Sequence, residues 1–186
     1  MHCWKTINIK REYGTSRLVL YAIIIFILVF SFSFIIIGAN RPLIYDAHHF
    51  PLFLLVCLLL YPLHKLIHYY SLFSYRKSVK LKWRFEFKLI PIVQIRIKKM
   101  LPKKRYMFIL LTPFIIVNTL LILVAIFLPY YSHYACLLLG YHCGICLVDI
   151  LYFIHLVKAP KNAVIEETPK GYEILVPPSF SNIPNN

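Results

Sequence analysis

The sequence predicts an all-α polytopic membrane protein, four transmembrane helices with a short cytoplasmic β-hairpin between the second and third. Three observations predict it. Of the 186 residues, 60% are hydrophobic and only 15% charged, whereas a soluble globular domain carries about 25% charged residues. Four apolar segments, near 18–38, 50–73, 106–128 and 134–157, each approach the ~20 residues that cross a hydrocarbon core. The cations, apart from Lys65, gather between those segments rather than within them.

The first segment follows Lys5, Lys10, Arg11 and Arg17, which raises the question of a signal peptide. Its apolar run, 18–37, is longer than a signal core and no small-residue cleavage site follows, so a retained anchor is expected. Four Lys and Arg precede this span, twelve lie between Arg76 and Arg105, and Lys158, Lys161 and Lys170 follow the last span. The loop at 39–49 has only Arg41, and the turn at 129–133 has none. By the positive-inside rule, both termini and the middle loop face the cytoplasm of a cell-membrane protein. The expected organisation is a basic N-terminus at 1–17, a membrane domain at 18–157 and a tail at 158–186.

Residues 79–89 alternate. Val79, Leu81, Trp83, Phe85, Phe87 and Leu89 face one way; Lys80, Lys82, Arg84, Glu86 and Lys88 face the other. That is the period of a strand. The pattern resumes after Ile90-Pro91 with Val93, Ile95 and Ile97, giving a basic hairpin within 76–105. A plain solvated hairpin and a sheet lying on anionic headgroups both fit, as does an edge that takes extended peptide by strand addition. The tail 166–186, with Pro169, Pro177, Pro178 and Pro184, reads as a short strand followed by disorder.

The net charge of +14 belongs to this lipid-facing pattern and not to a nucleic-acid surface. No Gly-rich phosphate loop, nucleophile elbow or nucleic-acid module is visible. Cys57, Cys136 and Cys146 lie in apolar stretches, which argues against a disulfide framework.

The second span carries His64-Lys65-Leu66-Ile67-His68. Histidines at i and i+4 share a helix face one turn apart and can reach one ion. This is the two-histidine frame of zinc proteases, with Lys65 where their water-activating glutamate stands. Under the expected topology the second and fourth spans run in the same direction. His64 then lies roughly 21 Å below the outer boundary and Asp149 roughly 23 Å, at ~1.5 Å per residue. Asp149 is the only acidic residue in any span, and a charge at that depth needs a partner. Three arrangements fit: zinc on His64, His68 and Asp149; a Lys65–Asp149 ion pair without metal; or polar side chains satisfying one another between helices.

Cys143-Gly144-Ile145-Cys146 has redox-motif spacing but sits inside a span, where small residues serve helix contacts. His142, Cys146 and Asp149 share a face at i, i+4 and i+7, which makes Cys146 an outside candidate ligand. His155, Tyr69, Tyr70 and Tyr75 are expected at the interface, and His48 and His49 receive no role.

These residues resemble a bacterial membrane family of unknown function described as putative zincin peptidases, and more distantly the intramembrane metalloproteases. Such families place H-E-x-x-H on a membrane helix, follow it with a strand-rich segment, and take a third ligand from an aspartate on a later helix. His64 and His68 match the two histidines, and Lys65 departs at the glutamate. The likeness continues through Leu110-Leu111-Thr112-Pro113-Phe114, then Gly144 and Asp149, then Lys158-Ala159-Pro160-Lys161-Asn162-Ala163-Val164 and Gly171-Tyr172-Glu173-Ile174, covering about 62–176. It implies zinc at His64, His68 and Asp149. With Lys65 at the glutamate position, the expected function is a non-peptidase member that binds a membrane protein or peptide. The competing expectations are a zinc-dependent intramembrane peptidase and a small structural or accessory subunit.

Overall fold

A computed structural model of the chain describes residues 1–40, 48–73, 79–86, 90–97, 100–168 and 171–177. In chain order these form β1 (His2–Ile7), α1 (Ile9–Tyr13), α2 (Thr15–Asn40), α3 (Phe50–Ser71), β2 (Val79–Glu86), β3 (Ile90–Ile97), β4 (Leu101–Pro102), α4 (Lys103–Phe127), a 3-10 turn at Pro129–Tyr131, α5 (Ser132–Val157), β5 (Val164–Thr168) and β6 (Gly171–Val176).

The four long helices coincide with the four apolar segments, and each is long and apolar enough to cross a membrane. Even the shortest, α3 with 22 residues, reaches about 33 Å. Apolar side chains such as Leu28, Phe32, Leu58 and Phe127 point outward, as they do where lipid replaces water as solvent. α5 is the axis of the bundle: α2 and α4 pack along it, and α3 rests mainly on α4. The α2–α5 contact depends on two glycines. A Cβ on Gly140 would lie 2.7 Å from the Phe26 carbonyl oxygen, and one on Gly144 3.1 Å from that of Ala22. Small residues four apart let two membrane helices approach backbone to backbone.

At one end of the bundle sits a four-stranded antiparallel sheet in the order β1-β6-β5-β4. Ile7 pairs with Tyr172, Ile165 with Ile174, and Leu101 with Ile165. All five side chains are buried in a core that also contains Leu156 of α5 and Tyr106 of α4. Tyr172 Oη donates to the Tyr152 carbonyl (2.9 Å), and Tyr106 Oη donates to Glu167 Oε1 (2.9 Å). Burial pushes the Tyr172 phenol well above its usual range, so it remains a donor. The sheet gathers the N-terminal strand, the entry to α4 and the exit from α5. These three segments therefore lie at the same end of the bundle.

This sheet adds two elements to the expected organisation: residues 1–17 include β1, which pairs with β6, and β5 and β6 form a hairpin at the start of the tail. Only Ile7 of β1 is buried, so that strand carries almost no apolar alternation to reveal it. Between α3 and α4 the expected hairpin is present, β2 and β3 pairing from Val79↔Ile97 to Glu86↔Ile90. The facing of its basic and apolar side chains lies outside the described residues, as do Arg41, Tyr75 and residues 178–186.

Candidate metal centre

His64 and His68 project from one face of α3, both buried, with their Nε2 atoms 3.1 Å apart. Asp149 reaches between them from α5. Its Oδ2 lies 3.0 Å from His64 Nε2 and 3.3 Å from His68 Nε2. The depth comparison between the second and fourth spans therefore corresponds to direct proximity.

His68 Nδ1 donates to the carbonyl of Ile109 on α4, 3.0 Å away. That carbonyl is available for a local reason. Its intrahelical partner would be the amide four residues on, and residue 113 is a proline, with no N–H to give. On the other side of His64, Nδ1 lies 3.2 Å from His142 Nε2. His142 Nδ1 in turn lies 2.7 Å from Asn118 Oδ1. Cys146 Sγ is 3.6 Å from His142 Nε2 and 3.8 Å from His64 Nδ1.

Two overlapping groups of metal-capable atoms result: His64, His68 and Asp149, and His64, His142 and Cys146. They share His64, one group on each ring nitrogen. Sequence reasoning placed the first group and named Cys146, but it missed the contact of His142 with His64 and omitted Asn118. A lone amide in the middle of an apolar span was the available signal for Asn118. The C-x-x-C pair divides its duties: Cys143 accepts from Asn118 Nδ2 (3.5 Å), while Cys146 faces the histidines.

Lys65 does not pair with Asp149. No ion pair between them occurs among the described residues, and the carboxylate is taken by the two histidines. One residue beyond His64, Lys65 is turned ~100° about the helix axis. Its ammonium instead lies 5.9 Å from the centroid of the Tyr61 ring, one turn back.

A family model described as putative zincin peptidase matches residues 57–164, more than half of the chain. The chain belongs to that family. No curated protein and no solved structure matches it. Within the family match lie all the residues of both groups.

The donor set fits the zinc that such a family implies. With its proton on Nδ1, a neutral His68 offers a lone pair at Nε2, and a carboxylate oxygen 3.3 Å away is also an acceptor. Two acceptors so close repel unless a cation lies between them. Around a tetrahedral zinc with 2.0–2.1 Å bonds, ligand atoms stand about 3.3 Å apart. The observed separations of 3.0, 3.1 and 3.3 Å lie close to those edges.

Proposed function

We propose that this protein is a non-peptidase member of its family, an integral membrane protein that holds zinc on His64, His68 and Asp149. It would use that site to bind a membrane protein or peptide without cleaving it. The observation that carries the reading is the convergence of two Nε2 atoms and one carboxylate oxygen within 3.3 Å, with Lys65 drawn away over Tyr61. Zinc bound there would supply a Lewis acid able to take a partner's oxygen.

Hydrolysis needs one more group, a base that takes a proton from water and returns it to the leaving amine. Asp149 is engaged with both histidines. The other acidic residues, Glu12, Asp46, Glu86, Glu166, Glu167 and Glu173, all lie outside the four candidate spans. At the position of the family glutamate stands Lys65, an amine in place of the carboxylate that would carry the proton. The binding groups are present and that carboxylate is replaced.

The same reading places the protein in the cell membrane with both termini in the cytoplasm, where twelve Lys and Arg in 76–105 meet anionic headgroups. Each such residue contributes about 1 kcal/mol near the surface. The test is an assay of zinc-loaded, detergent-purified protein against a panel of unstructured and single-span peptides. No cleavage is expected from the wild type. Cleavage that disappears in His64→Ala would overturn the proposal and establish the zinc-dependent peptidase instead.

A further inference from the structure

Asn118 and His142 lie outside the group that holds the cation, yet both are buried and form an unbroken path to it. Polar side chains in a membrane interior are costly unless they do something. The proton positions along this path follow from the end that has only one choice. The Asn118 amide oxygen accepts, so His142 Nδ1, 2.7 Å away, carries a hydrogen and donates it. The Asn118 amide nitrogen is directed at Cys143 Sγ, which fixes which end of the amide faces His142. A neutral His142 then has a bare Nε2, and His64 Nδ1, at 3.2 Å, must be the donor between them. His64 is left with a lone pair on Nε2, the atom directed at Asp149 and His68.

We propose that Asn118 and His142 are positioning residues: they lock His64 in the Nδ1–H tautomer and so present its Nε2 lone pair to the cation. The inference rests on the reading of His64, His68 and Asp149 as the cation site. Both histidines of α3 are then set by the same device, a buried acceptor on Nδ1, supplied to His68 by Ile109 and to His64 by His142. Partners of this kind typically affect metal affinity 10–100-fold. The path also decides between the two overlapping groups. Around His142 every polar atom is satisfied by protons, whereas His64 Nε2, His68 Nε2 and Asp149 Oδ2 are all acceptors. The cation therefore belongs with Asp149, and Cys146 is a neighbour, not a ligand.

Two measurements on the full chain in detergent test this. Nitrogen NMR of histidine-labelled protein, metal-free and zinc-loaded, should show a proton on His64 Nδ1, as on His68 Nδ1, and His142→Leu should abolish that preference at His64. Zinc titration should show His142→Leu weakened at least 10-fold, Asn118→Leu weakened less, and His142→Gln, which keeps an acceptor for His64, closer to wild type. Cys146→Ser should bind as wild type, and cobalt-substituted wild type should lack a sulfur-to-cobalt charge-transfer band. A His64 Nδ1 without its proton in the wild type, or undiminished zinc affinity in His142→Leu, overturns the inference. A thiolate band lost in Cys146→Ser overturns it too, in favour of a cation on the His142 side. If the wild type binds no zinc, the cation reading fails, and the tautomer measurement still decides the role of His142.

Discussion

His68 donates its Nδ1 proton to the carbonyl oxygen of Ile109 at 3.0 Å, and Pro113 is the reason that oxygen is free. A proline in a helix usually costs stability by removing a hydrogen bond. Here the orphaned acceptor lies opposite a histidine of the candidate metal centre and fixes its ring. Pro113→Ala restores an amide to compete for the Ile109 oxygen. Zinc affinity is expected to fall about tenfold while α4 keeps or gains stability. Titration of zinc alongside thermal unfolding checks both halves of that expectation.

Lys65→Ala tests how the carboxylate is held. Breaking a buried ion pair costs about 3–5 kcal/mol, because the remaining charge is stranded. A cation over an aromatic ring contributes about 0.5–1 kcal/mol where water still reaches it. With Asp149 on the two histidines, the variant is expected to lose no more than the smaller amount in denaturant unfolding. A loss in the larger range would restore the Lys65–Asp149 pair.

Helix packing makes its own prediction. Gly140→Val puts a side chain against the Phe26 carbonyl oxygen, which stands only 2.7 Å from where the new β-carbon would lie. Backbone cannot give way as a flexible side chain can, so α2 must move from α5. Overpacking of this kind costs about 1–3 kcal/mol, readable as a lower unfolding midpoint in detergent. Because α2 contributes no ligand, zinc stoichiometry should be unchanged.

The sheet can be separated from the bundle by one substitution. A Cβ at Gly171 would overlap the Ile7 carbonyl in the paired strand, so Gly171→Val should release β1 from β6. Amide exchange at residues 2–7 is expected to rise sharply, with α4 and α5 still protected. Unchanged protection of β1 would contradict the pairing.

The helices were legible because lipid imposes a simple rule, a long apolar run, and His64, His68 and Asp149 stood out as exceptions within it. The β2–β3 hairpin was legible from the alternation of apolar and polar residues along its strands. β1 was not, since its pairing with β6 joins opposite ends of the chain and only Ile7 of its six residues is buried. The Lys65–Asp149 pair was a reasonable expectation from charge alone. Nothing local reveals that the carboxylate points to the histidines while the ammonium turns to Tyr61. Asn118 and Pro113 were visible as residues but not as partners, because each acts on a ring carried by a different helix.

The central claim is that His64, His68 and Asp149 together hold one zinc ion. Its most direct test is the metal content of detergent-purified protein, compared with His64→Ala and Asp149→Ala. One zinc per chain in the wild type, lost from both variants, is the predicted result. Wild-type protein that folds and carries no zinc after loading, or variants that retain it, would contradict the account.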